Sequence, residues 1–212
     1  MIITDFLERN AREFPNDVAL VEINPEIKED RRVTWKEFEL IEPNPKTSYR
    51  REITWSVFNE KANRFANLLL QRGIKKGDKV AICSRNQANW AVSFLASMTY
   101  GAVPVPLLHE FKSANIHHLV NHSEAKILFV DEVIWEGISE SEMPDLQAII
   151  QVNTFKLLYA KDEKIVEARE HLNELFGKKF PMSFTPDALD YYEDSAEELA
   201  IINYTSGTSG FS

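Results

Sequence analysis

A single cysteine, Cys83, stands in 212 residues, so no internal disulfide can form and the chain suits a reducing cytosol. Long hydrophobic runs are also missing. The longest apolar stretches, such as Trp90 to Met98, fall far short of the roughly 18 residues that a membrane-crossing helix needs. The start of the chain shows no basic-then-apolar leader pattern, so a cytoplasmic protein without a transmembrane segment is expected, with peripheral membrane contact left open. Basic clusters are absent. With 24 Lys and Arg against 33 Asp and Glu, the net charge of −9 argues against nucleic acid as a partner. Two nucleotide signatures, G-x-x-x-x-G-K-[ST] and G-x-G-x-x-G, do not occur.

What remains is ordinary globular composition, 44% hydrophobic and 27% charged, enough for one sizeable core. Ile3 to Phe14 reads as an amphipathic helix with Phe6, Leu7, Ala11 and Phe14 near one face, closed by Pro15-Asn16. Val18 to Ile23 alternates toward a strand. RRVTWKEF and RREITWSVF are near-copies, and two copies make no solenoid. They are read as the strands Arg31 to Ile41 and Tyr49 to Thr54 of a hairpin, with Trp35 and Trp55 as packing aromatics.

From Thr54 onward the order becomes regular. Thr54 or Ser56 caps a helix to Arg72 with Phe58, Ala62, Phe65, Ala66 and Leu69 on a 3.6 period, and Gly73 ends it. A buried strand follows at Lys79 to Ile82, then a helix from Asn86 to Tyr100 with Trp90, Phe94, Leu95 and Met98 inward. Ala102 to Leu107 is a short strand whose prolines suit an edge or a strand end. Lys112 to His122 is the next helix, and Ala125 to Asp131 and Leu146 to Val152 are further buried strands. Alternating strands and helices imply an α/β fold, a parallel sheet with helices on both faces. Two regions follow from this: an N-terminal helix and β-hairpin region, 1–53, and an α/β subdomain, 54–212. Asp162 to Phe176 reads as a charged surface helix, Phe180 to Pro186 as a loop, and Glu193 to Glu198 as solvated acidic surface.

Several residues look chemical at first sight. Lys75, Lys76 and Asp78 read as solvated turn charges. His118 and His122, four apart with His117 beside them, lack a third ligand close in sequence, so no metal residue is assigned. Cys83 lies at the carboxyl end of a strand, where α/β sheets keep their ligands, with Arg85 nearby to lower a thiol pKa. A small core residue is the simpler reading of it. No catalytic residue is assigned.

The end of the chain carries the clearest signal. Leu199 to Tyr204 is apolar and β-branched and reads as a buried strand feeding Thr205, Ser206, Gly207, Thr208, Ser209 and Gly210. Glycines let successive N–H groups point into one concavity, and four hydroxyls add donors that rotate toward phosphate oxygens. On residue type alone, a flexible loop remains an equal reading. YTSGTSG closely resembles the phosphate-binding signature of the adenylate-forming superfamily, which groups acyl- and aryl-CoA synthetases, peptide-synthetase adenylation domains and luciferases. That signature usually reads Tyr-Thr-Ser-Gly-Thr-Thr-Gly, any residue, Pro, Lys, Gly. This chain departs from it at Ser209 and Ser212. The block ITWSVFNEKANRFANLLLQRGIKKGDKVAI and the segment MTYGAVPVPL resemble two earlier family segments, in the family's order.

The resemblance implies an N-terminal part of an acyl-CoA synthetase that uses ATP, Mg²⁺ and CoA. Thr205 to Gly210 would grip the β- and γ-phosphates while a carboxylate attacks the α-phosphorus. The adenine contacts, magnesium-holding acid, acyl pocket and C-terminal lysine of that family would lie beyond Ser212, so the fragment alone is expected to be inactive. A fatty acid is the expected carboxylic acid substrate, because Phe-Ser after the loop and the Val-Thr-Trp insertion look more like long-chain synthetases. An adenylation domain for an amino or aryl acid, and a non-catalytic binding module, stay open as alternatives.

Overall fold

Alternation along two strands sets the architecture. In β3 (Lys79–Cys83) and β5 (Ala125–Val130) nearly every residue is buried, and odd and even positions face opposite layers. A computed structural model of the chain describes residues 3–23, 50–71, 73–163, 195 and 197–205. Val80, Ile82, Ile127 and Phe129 pack in one core cluster under α2 (Trp55–Gln71) and α3 (Ala88–Tyr100). Ala81, Cys83, Leu128 and Val130 pack in a second, under α4 (Ser113–Ser123). The expected parallel sheet with helices on both faces is therefore present.

The sheet has five strands in the order β4-β3-β5-β6-β7, where β4 is Val103–Leu107, β6 is Ala148–Gln151 and β7 is Leu157–Ala160. The first four are parallel, and β7 returns antiparallel against β6 through the turn at 152–156. β7 was not anticipated: its four residues are half-buried and carry no full alternation. A short helix, α5 (Glu132–Trp135), and a 3₁₀ turn, Glu140–Glu142, fill the connection from β5 to β6.

A two-stranded antiparallel ribbon joins β1 (Val18–Ile23) to β2 (Arg50–Thr54). The described partner of β2 is thus β1; the expected hairpin strand Arg31 to Ile41 and its loop lie outside the described residues. So do the expected helix Asp162 to Phe176, apart from its first two residues, and the loop Phe180 to Pro186. α1 (Ile3–Glu13) buries Leu7 and Ala11 but leaves Phe6 and Phe14 exposed, so the apolar stripe is narrower than expected. Phe6 instead packs edge-on against Trp55, with ring centroids 5.4 Å apart. Leu7 and Ile53 join the same cluster as Phe58 and Phe65 of α2.

Local signals decide the helix ends. Thr54 caps α2, its Oγ1 accepting from Val57 N–H at 3.4 Å. Gly73 and Gly101 follow α2 and α3 with φ of 73° and 84°, conformations that side chains disfavour. In α3, Met98 of the expected inward face is buried and Leu95 packs half-buried against the core, but smaller residues lie deeper. Val92, Ser93, Ala96 and Ser97 are fully buried, while Trp90 and Phe94 stack on each other at 5.1 Å and stay half-buried. The small residues let α3 lie close to α2 and the sheet, and Ser93 and Ser97 return their hydroxyls to carbonyls four residues back.

Among the described residues no helix is long and apolar enough to cross a membrane. Phe129 lies at the centre of the sheet, fully buried, with the Phe65 ring centroid 4.8 Å away. Phe129→Ala is expected to destabilise the chain by about 3–5 kcal/mol in urea unfolding, whereas Val133→Ser on exposed α5 changes it by less than about 0.5 kcal/mol.

Candidate functional site

Strand order places a crevice before any side chain is considered. The connection leaving β3 runs to β4 on one side, and the connection leaving β5 runs to β6 on the other. Between the carboxyl ends of β3 and β5 the chain therefore parts, which is where α/β sheets open to ligands. Cys83, Ser84 and Arg85 stand on one side of this switch point, and Val130 and Asp131 on the other.

Asp131 organises it. Its carboxylate is buried at 2% exposure, and a buried charge needs full hydrogen bonding. Oδ2 accepts from Arg85 N–H at 2.9 Å and from Arg85 Nε–H at 3.3 Å, and Oδ1 accepts from Gln87 Nε2–H at 2.9 Å. Gln87 Nε2 also donates to Ser84 Oγ at 2.8 Å, and Ser84 donates in turn to Arg85 O at 2.7 Å. The turn from β3 into α3 is thereby locked. Sequence reasoning counted Asp131 only as a strand end; an acid closing an apolar run, with Arg85 and Gln87 after a neighbouring strand, was the available signal. The first turn of α3 receives a second anion from elsewhere: Glu22 Oε1, on β1, accepts from Ala88 N–H at 3.2 Å.

The expected strand Leu199 to Tyr204 is absent. Leu199 and Ala200 line one small pocket with Gly101 and Ala102, and Ile202 N–H bonds Pro104 O of β4 at 3.2 Å. No ladder forms, and the edge explains why. Val103 N–H donates to Asp78 O on the β3 side, so alternate residues Pro104 and Pro106 turn their backbone outward, and proline has no N–H. That edge offers acceptors only, half of what a parallel neighbour requires. Leu199 and Ile201 are exposed rather than buried, while Ile202 and Tyr204 pack toward the α4 core. Thr205 is exposed at the end of this run, and Ser206, Gly207, Thr208, Ser209 and Gly210 lie outside the described residues.

The histidines of α4 are engaged separately. His117 Nε2 accepts from Ser139 N–H at 3.0 Å, and His122 Nδ1 meets the Tyr204 hydroxyl at 2.7 Å. Among the described residues no three His, Cys, Asp or Glu side chains converge as metal ligands would. Lys75 N–H donates to the Asp78 carboxylate at 2.7 Å, which closes the turn before β3. Burial pushes the Tyr204 phenol above its ordinary pKa, so it is a hydrogen-bond donor at neutral pH.

Cys83 is fully buried and its thiol donates to Leu108 O at 3.6 Å. Burial, and then the nearby Asp131 charge, push its pKa from an ordinary 9.0 to about 12. Arg85 does not reverse this, because its guanidinium is spent on Asp131. Cys83 is therefore a core thiol. Iodoacetamide at pH 8 is expected to spare it in the native chain and alkylate it in urea, read by mass. The unfolded thiol ionises first, so stability falls as pH rises from about 9 toward 12, and Cys83→Ala removes that part of the slope in urea titrations across this range.

Comparison with known proteins joins this geometry to a family. Residues 43–211 match the family described as AMP-binding enzyme. Fatty acyl-CoA synthetase A of Dictyostelium discoideum is 28% identical over 150 residues, covering 71% of this chain and 22% of that protein. The crystal structure of the anthranilate CoA ligase AuaEII in complex with anthranoyl-AMP superposes with a TM-score of 0.68 at 21% identity, over 99% of this chain and 32% of that one. A long-chain-fatty-acid-CoA ligase from Archaeoglobus fulgidus superposes with a TM-score of 0.64 at 19% identity, over 97% and 34%. The likeness to these two structures is one of fold. The chain spans about a quarter of the length of several curated relatives it matches. With the sequence match running over most of the chain and the fold of ligases reproduced, this chain belongs to the AMP-binding enzyme family.

Proposed function

We propose that the chain is the N-terminal part of an ATP-dependent acyl-CoA synthetase that converts a carboxylic acid to an acyl-AMP and passes the acyl group to CoA. The observation that carries this reading is the sequence Tyr204 to Gly210 in a chain of this family, whose described part up to Thr205 follows an Ile202 N–H bonded to Pro104 O of β4. Thr205, Ser206, Gly207, Thr208, Ser209 and Gly210 are assigned to the β- and γ-phosphates. Backbone N–H groups and hydroxyls supply charge-assisted donors of roughly 1.5–3 kcal/mol each.

The carboxylate oxygen attacks the α-phosphorus, the bond to the β-phosphate oxygen breaks, and pyrophosphate leaves with that electron pair. Positioning and charge stabilisation govern such a step, and an ionised nucleophile needs no general base. The CoA sulfur then displaces AMP at the acyl carbon. Mg²⁺ would arrive with the nucleotide; the described residues of this chain offer no set of acids that fits it, since the Asp131 carboxylate is consumed by Arg85 and Gln87. No step is assigned to a metal held here.

A fatty acid is the proposed substrate class, supported by the Dictyostelium relative and by the sequence around the loop. An amino or aryl acid is the second reading. A cytoplasmic location is part of the same proposal.

Two measurements test it. Tripolyphosphate titrated calorimetrically into the chain is expected to bind, with Gly207→Val and Thr208→Val each weakening it about tenfold. The chain by itself is expected to form no acyl-AMP, whereas ATP–pyrophosphate exchange by the longer enzyme should respond to fatty acids before aryl acids. Failure of tripolyphosphate to bind the chain would overturn the phosphate assignment.

A further inference from the structure

Among the described residues, the segment that leads into the assigned phosphate loop has little backbone bonding to its neighbour β4. Pro104 and Pro106 present carbonyls alone, and Ile202 N–H to Pro104 O is the one backbone bond described between this segment and β4. A loop that must hold a polyphosphate in register needs a firmer start than that. The second polar attachment described is a side-chain contact. Tyr204, immediately before Thr205, places its hydroxyl 2.7 Å from His122 Nδ1, with the rings edge to face at 5.8 Å.

His122 sits on rigid ground. It lies in the last turn of α4, whose Ile116 and Val120 are buried in the core under the sheet, and its ring lies 6.0 Å from that of His118. Tyr204 packs on the same core together with Ile202, and its phenol also shares a side-chain hydrogen bond with Ser123, the next residue of α4. A tyrosine is a stiff spacer with few torsions, so a bond at its tip fixes the backbone at its root. Neutral imidazole accepts the phenol proton at Nδ1; imidazolium instead donates to the phenol oxygen, and the contact keeps one donor and one acceptor either way.

We infer that His122 is a positioning residue for the phosphate loop: through Tyr204 it replaces the strand ladder that the prolines of β4 forbid. The inference rests on the phosphate reading above and adds to it a residue from a different element, 82 positions away in sequence.

Two readouts on the whole chain test it. Amide exchange at Ile202 reports the lead-in directly. Tyr204→Phe, which removes only the hydroxyl, and His122→Ala are each expected to speed it about fivefold, and His122→Gln, which restores a donor and an acceptor, to return it toward the native rate. Tripolyphosphate affinity should fall about fivefold in the same two variants and recover in His122→Gln, with the urea midpoint of the main sheet unchanged. Unchanged exchange in Tyr204→Phe and His122→Ala overturns the tether. Native binding with undiminished affinity in both variants overturns its role in positioning while leaving the phosphate assignment intact. Absence of tripolyphosphate binding to the native chain, with exchange still accelerated in the variants, sinks the phosphate assignment and the positioning role, and retains only a structural contact.

Discussion

The adjacency of β3 and β5 is the constraint from which the rest of the molecule follows. Both strands are buried on both faces, so each face demands its own helical cover: α2 and α3 on one, α4 on the other. Their connections depart in opposite directions, and that departure creates a crevice at the carboxyl edge. Asp131 occupies the crevice. An ionised carboxylate in so dry a place is tolerated only because three donors from the β3–α3 turn converge on it. Sheet order, helix placement and the locked turn are thus one arrangement seen at three scales.

At the other side of β3 the edge strand β4 shows how a single residue type governs what comes next to it. Proline is commonly described as ending a sheet. Here Pro104 and Pro106 leave β4 fully paired with β3, since its odd residues carry those bonds, and strip the opposite edge of donors. Whatever lies alongside must bring N–H groups and keep its carbonyls for solvent or other partners. Among the described residues the run from Leu199 to Thr205 does so at Ile202, and Ile202 and Tyr204 also pack their side chains on the α4 core. The family assignment does not lean on a strand there; it stands on the match over 43–211.

Much of this was legible from residue order, wherever one local signal decided the outcome. β3 and β5 read as strands because each carries a run of four apolar residues, Val80–Cys83 and Ile127–Val130, and α2 read correctly from a threonine cap to a terminal glycine. Three features were hidden because they depend on partners distant in sequence. Large side chains mark an inward face only when a helix has room, and α3 instead buries Val92, Ala96 and two serines to approach α2. Leu199 to Tyr204 has strand composition, yet its fate was settled by prolines nearly a hundred positions earlier. Asp131 gave no motif at all, because its partners lie across a strand boundary 44 and 46 residues upstream. The glycine and hydroxyl run at 205–210 was recognisable by likeness alone, since its composition also suits an untethered loop.

Glu22 carries one further meaning. It belongs to the outlying ribbon, yet its carboxylate serves as the missing cap of α3, whose own preceding residue, Gln87, makes no side-chain cap bond. The ribbon and the central sheet consequently share a seam of charge as well as a seam of hydrocarbon. Peeling the ribbon away would strip Ala88 N–H of this acceptor at the head of the very helix that Asp131 steadies from below. Opening at the periphery is in this way transmitted to the switch point, so the small sheet acts as a keystone for the large one.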